Sequence, residues 1–122
     1  MSEDDEKAGA YAYDGLDRVL HEKARLGILT SLFTHPEGLI FGEIKTLCTL
    51  TGGNLSRHLQ VLEREDLVRI EKETGAGRPK TTVFLTETGR ERFQQYLEEL
   101  QAVLKAASQE TAGGFNPGFS PA

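Results

Sequence analysis

The stretch 41–67, FGEIKTLCTLTGGNLSRHLQVLEREDL, constrains this chain most, because two short apolar-periodic segments meet there across Thr51-Gly52-Gly53. In the second segment Leu55, Leu59 and Leu62 fall at i, i+4 and i+7, which at about 100° per residue makes one apolar stripe that must be buried. The opposite side carries Gly53, Asn54, Arg57, Gln60 and Arg64, with Glu63 and Glu65 rotated away from its centre. Two helices joined by so tight a turn form a helix-turn-helix. An outward face of Asn, Gln and Arg suits the major groove, since Arg forks onto guanine and Asn or Gln onto adenine. The plainer alternative for the same residues is a solvated helix face.

The spacing predicts the first helix of the pair over 42–48, with Ile44 and Leu47 inward, Glu43 and Lys45 outward, and Leu50 plugging the turn. Thr51 is placed to cap the second helix through its hydroxyl. Gly52 and Gly53 each lower helix propensity by up to about 1 kcal/mol. Close approach of the backbone to a phosphate is a functional reason to keep them.

After Asp66 the period changes from 3.6 to 2. Residues 67–72 and 81–85 alternate as half-buried strands, and the loop between them, TGAGRPK, is rich in glycine and positive charge. A helix-turn-helix followed directly by a hairpin is a winged helix. Its tip presents Arg78 and Lys80, with Lys72 on the rising strand, for contact with DNA phosphates or a minor groove. Ser56 can reach a phosphate, and His58 stands at the edge of the outward face as a boundary residue.

Upstream, Leu16, Val19, Leu20, Ala24, Ile28, Leu29, Leu32 and Phe33 recur at helical steps, predicting an amphipathic helix over 16–33, with a break near His21 left open. It ends before Thr34-His35-Pro36, since the residue preceding proline is pushed out of the α region. Leu39-Ile40-Phe41 is short and β-prone. Downstream, Thr86 caps a final helix whose residues Phe93, Tyr96, Leu97, Leu100, Val103, Leu104 and Ala107 make a stripe longer than a small core can cover. A second copy of the chain is the expected cover, with Leu16, Val19 and Leu20 joining the last helix in a dimer interface.

The predicted organisation is a disordered acidic tail over 1–13, a winged-helix domain over 14–107 whose dimerisation helix spans about 87–107, and a flexible tail over 108–122. The fold class is α+β, mostly helical: a winged helix-turn-helix with a two-stranded β-hairpin wing and a long C-terminal helix.

A chain of 122 residues suffices for one modest core. It has no run of apolar residues long enough to cross a membrane and no basic-then-apolar opening, so a cytoplasmic location is expected. The lone Cys48 offers no disulfide and no paired metal spacing, and among apolar neighbours it behaves as a small hydrophobe rather than a redox sensor. No nucleophile elbow, phosphate-cradling loop or paired carboxylates point to catalysis. Neither an enzyme nor a cofactor is expected.

The net charge of −5 argues against nucleic acid at first sight. Four of those charges are Glu3, Asp4, Asp5 and Glu6, and residues 54–92 hold eight basic groups against seven acidic ones, the basic ones at positions expected to face outward. The local field therefore permits DNA binding.

The segments LDRVLHEKARLGIL, LTGGNLSRHLQVLEREDLVRIEK and GRPKTTVFLTETGRERFQQYL together resemble the small winged-helix transcriptional regulators of the MarR/ArsR-like group, over about 16–100. The resemblance implies a homodimer on an inverted-repeat operator in double-stranded DNA, usually repressing, with its recognition helix at about 53–65 and its wing at about 72–82. The chain departs from metal-sensing members in lacking their paired cysteines, and it is shorter than many drug-sensing ones. A second reading is a winged helix serving as a protein-interaction module without direct DNA binding, which the acidic N-terminus favours. A third adds a small apolar effector held in the dimer interface, which an apolar cavity between the first and last helices would support.

Overall fold

The computed structural model describes residues 12, 13, 16–75 and 77–110. Among them the elements run α1 (Lys23–Phe33), β1 (Leu39–Ile40), α2 (Phe41–Cys48), α3 (Gly52–Arg64), β2 (Val68–Glu73), β3 (Lys80–Leu85) and α4 (Glu87–Glu110). The helix predicted over 16–33 is confined to its second half, for a local reason. The Asp17 carboxylate accepts from the N–H groups of Val19 and Leu20 and closes a separate turn. Glu22 then caps α1 through the N–H of Arg25. Two side-chain caps in succession start the chain twice, so the apolar period continues across a backbone break.

The sheet has the order β1-β3-β2, all antiparallel. Leu39 pairs with Val83 on one side, and Ile70 pairs with Val83 on the other, so Val83 is the central residue of the sheet and is fully buried. The hairpin β2–β3 is the wing predicted from the alternation, and β1 widens its base to three strands. Phe41, grouped by its β-propensity with Leu39 and Ile40, instead opens α2.

Leu20, Ile28, Leu29, Leu32, Ile44, Leu55, Leu62, Leu67 and Val83 are fully buried, and Leu39, Leu59, Val68, Phe93 and Tyr96 nearly so. Each such side chain contributes about 1.5–3 kcal/mol relative to exposure. Leu47, predicted inward, is 58% exposed. In the eight residues of α2 Ile44 is fully buried and Phe41 and Cys48 pack partly against the core, while Leu47 lies on the rim of a groove toward α1.

α4 runs to Glu110, three residues past its predicted end at 107. Expectations for a tail over 1–11 and over 111–122 lie outside the described residues. No helix among the described residues is long and apolar enough to cross a membrane.

A junction between the helix-turn-helix and α4 organises the rest. α3 ends at Glu65, and Asp66 takes a left-handed conformation, φ 58°, that turns the chain into β2. Thr86 closes on this corner: its hydroxyl donates to the Asp66 carbonyl at 2.7 Å and its N–H to the Leu67 carbonyl at 3.0 Å. The same hydroxyl oxygen accepts from the Gly89 N–H at 2.8 Å, capping α4. Gly89 lies so close that a Cβ there would collide with the Leu67 carbonyl oxygen.

Candidate nucleic-acid interface

α3 positions the outward face by burying the other one. With Leu55, Leu59 and Leu62 locked in the core, Gly53, Asn54, Ser56, Arg57, Gln60 and Arg64 are all exposed. The helix begins as its sequence predicts: the Thr51 hydroxyl accepts from the Asn54 N–H at 3.1 Å. A Cβ at Gly53 would meet nothing within 4 Å, so packing inside the chain does not require glycine there.

The polar side chains on this face are partly organised. The Arg57 guanidinium donates through Nη2 to Asn54 Oδ1 at 2.7 Å, and Arg64 Nε donates to the Gln60 carbonyl at 3.4 Å. Between α3 and the wing lies a groove of about 410 Å³ lined by Ser56, Leu59, Gln60, Glu63, Ile70, Lys72 and Thr81. Glu63 is the one carboxylate in that lining. Lys72, Arg78 and Lys80 are exposed along the wing, beside Glu71 and Glu73.

Three of the eight basic residues counted on this part of the chain are committed elsewhere. Arg69 pairs with Glu71 and lies 4.3 Å over the Phe84 ring. Arg90, half-buried, lies 4.8 Å over Phe33. Arg92, also half-buried, donates to both carboxylate oxygens of Asp17 and, through Nη2, to Glu65 Oε1 at 3.2 Å. The expectation that all eight face outward therefore fails for Arg90 and Arg92, whose stems are drawn in by packing between α4 and its neighbours. The field toward a ligand comes from Arg57, Arg64, Lys72, Arg78 and Lys80.

Several side chains of this region carried no sequence signal, because their partners lie far along the chain. His58 turns from α3 toward Glu22 at the start of α1, Nδ1 to Oε2 3.7 Å. His21 has its Nδ1 2.5 Å from the hydroxyl of Tyr96, 75 positions along the chain. Burial would raise the Asp17 carboxyl, but the hydrogen bond and charge of Arg92, with the N–H groups of Val19 and Leu20, outweigh it and hold the group below its ordinary value. Burial pushes the Cys48 thiol up, against a weaker opposing contact with Ser31.

The residues predicted to pair copies divide into two sets. Leu20, Phe93 and Tyr96 are filled inside the chain's own core, contrary to the expectation that the whole stripe lacks a partner. Leu16, Val19 and Leu100 pack partly against that core. Leu97 and Leu104 are 42% and 39% exposed, with Val103 half-buried between them. The open part of this stripe therefore lies on the distal half of α4.

No group of three or more His, Cys, Asp or Glu side chains among the described residues is arranged to hold a metal ion. An open groove of about 850 Å³ lies between α1 and α2, lined in part by Leu47 and Cys48.

Residues 24–104 match a family described as winged helix DNA-binding domain. An uncharacterised protein of Methanocaldococcus jannaschii is 33% identical over 88 residues, covering 72% of this chain and 95% of that protein. The solved structure of a transcriptional regulator homologue from Pyrococcus horikoshii OT3 is similar with a TM-score of 0.69 at 36% identity, over 75% of this chain and 89% of that one. A MarR-family transcriptional regulator from Silicibacter pomeroyi shares the fold, with a TM-score of 0.57 at 24% identity over 81% of this chain and 62% of that one.

Proposed function

Because this chain belongs to the winged helix DNA-binding domain family, whose fold it shares with transcriptional regulators of the MarR type, we propose that it acts in the cytoplasm as a homodimeric repressor on an inverted-repeat operator. The observation that carries this reading is the exposure of Asn54, Arg57, Gln60 and Arg64 along one side of α3 while Leu55, Leu59 and Leu62 anchor the other.

In this reading α3 enters the major groove with its N-terminal half leading. Arg57 addresses a guanine edge through its fork, and Asn54 and Gln60 address neighbouring bases. Gly53 lets the start of the helix approach a phosphate, where its unpaired N–H groups favour negative charge. Ser56 and Arg64 hold the backbone beside the groove, and Lys72, Arg78 and Lys80 hold it from the wing. The distal half of α4, through Leu97, Leu100, Val103 and Leu104, packs against its two-fold mate and places the second α3 about 34 Å away, or a multiple of that, along the same duplex.

Fluorescence anisotropy with a labelled duplex from the region upstream of the chain's own gene, at low and high salt, tests this directly. Tight binding that weakens steeply with salt, with a palindrome emerging from a random DNA pool, is the expected result. Indifference to every duplex at low salt would overturn it in favour of a protein-interaction module.

A further inference from the structure

The charged cluster under the C-terminal end of α3 has no part in base or phosphate contact, yet it joins three elements at one side chain. Arg92 leaves α4 one turn beyond Gly89 and donates to Asp17, which itself caps the turn ahead of α1. The same guanidinium donates through Nη2 to Glu65, the residue that ends α3. A planar guanidinium can fork across two carboxylates in this way, whereas an ammonium acts as a single point charge. Asp17 and Glu65 thus meet at the one guanidinium of Arg92. Beside this clamp, Thr86 and Gly89 bring α4 directly against the Asp66-Leu67 corner. α3 is therefore tied to α4 at its very end, where a small rotation about the corner would swing its distant N-terminal half furthest.

We infer that Arg92 is a positioning residue for DNA binding: by holding Glu65 and Asp17 together it fixes the angle of α3 on α4, and so sets the spacing between half-sites that the dimer accepts. This rests on the proposed function, since spacing has meaning only for two copies joined through α4 on one duplex. Asn54, Arg57 and Gln60 choose the bases, and Arg92, which lies behind α3, chooses how far apart two such sets of bases stand. Loosening the clamp leaves each α3 intact but lets the pair adopt a range of separations, so discrimination among spacings falls while half-site preference stays.

The test uses the full chain and a series of duplexes carrying the half-site selected from a random pool, with the central spacer varied one base pair at a time. Affinity is measured for the native chain, Arg92→Gln, Arg92→Lys and Glu65→Gln, with sedimentation and thermal melting alongside. The native chain should prefer its best spacer over its neighbours by about tenfold, within the usual range for coupling between two sites. Arg92→Gln and Glu65→Gln should flatten that preference to within about threefold while keeping the dimer and the selected half-site, and Arg92→Lys should restore part of it. Glu65 is largely at the surface, so its variant remains folded and decides the matter if Arg92→Gln does not. An unchanged spacer ranking in Glu65→Gln overturns the inference, as does an Arg92→Gln that melts earlier yet ranks the spacers as the native chain does. A native chain that binds no duplex defeats the proposed function itself, an outcome distinct from both.

Discussion

The Arg57 guanidinium and the Asn54 side-chain oxygen are joined across 2.7 Å on the open face of α3, three residues apart and one turn from the helix start. Asn54 thus pre-orients the longer side chain, which lowers the ordering cost of aiming Arg57 at a base. Arg57→Ala should cost about 1–3 kcal/mol of discrimination at one base pair per half-site. Asn54→Ala should weaken preference at that same base as well as its own, and a double-mutant cycle should show coupling of about 0.5–3 kcal/mol. Operators substituted one base at a time, titrated by anisotropy, measure both. Additive effects would separate the two residues.

Lys80 opens β3 beside the wing tip, paired with Glu73 across the hairpin. Lys80→Ala should weaken binding to all sequences alike and lower the slope of log affinity against log salt by about 1. A change confined to one operator sequence would move Lys80 from backbone contact to base readout.

Gly53→Ala should act with opposite signs on stability and on binding. The added methyl meets open space in the free chain, so helix propensity alone predicts a gain of up to about 1 kcal/mol in thermal or urea unfolding. On DNA the same methyl stands where the backbone approaches a phosphate, and affinity should fall. A variant that is stabler and binds equally well would show that α3 does not come so close.

Asp17 links stability to pH. Its carboxyl is held below the ordinary aspartate value of about 3.9, so its contribution is complete above that value and is lost as pH falls through the folded one. Asp17→Asn should therefore be about 1–2 kcal/mol less stable than the native chain at neutral pH, by loss of charged hydrogen bonds. The gap should close as melting is followed down to strongly acid solution. A gap independent of pH would mean that Asp17 acts through its backbone turn and not through its charge.

Leu97→Glu combined with Leu104→Glu changes two exposed positions and no core one. Folding should survive, and sedimentation should shift from dimer to monomer, with operator affinity falling in step. A dimer that persists would relocate the interface away from distal α4.

Much of this architecture is written in local spacing. Leu55, Leu59 and Leu62 name the buried side of α3, Thr51 and Thr86 announce the helix starts, and the change of period after Asp66 announces the wing. What escapes is whatever depends on the partner surface. An apolar stripe on α4 tells that it is covered but not by whom, so Phe93 and Tyr96 look no different from Leu97 and Leu104 until the fold divides them. In an element as short as α2, Leu47 cannot be placed, because Ile44 with the partly buried Phe41 and Cys48 already fills the side that meets the core. The Asp17–Arg92–Glu65 cluster joins residues 75 and 27 positions apart, and no pattern along the chain marks it.

The collision awaiting any side chain at Gly89 bears on how such a protein diversifies. In the proposed reading base preference resides in exposed groups of α3, whereas the bearing of α3 on α4 is held jointly by the Arg92 clamp and by main chain pressed against main chain at this corner. New target words are thus open to point substitution. A different pitch between the two words demands a remodelled corner.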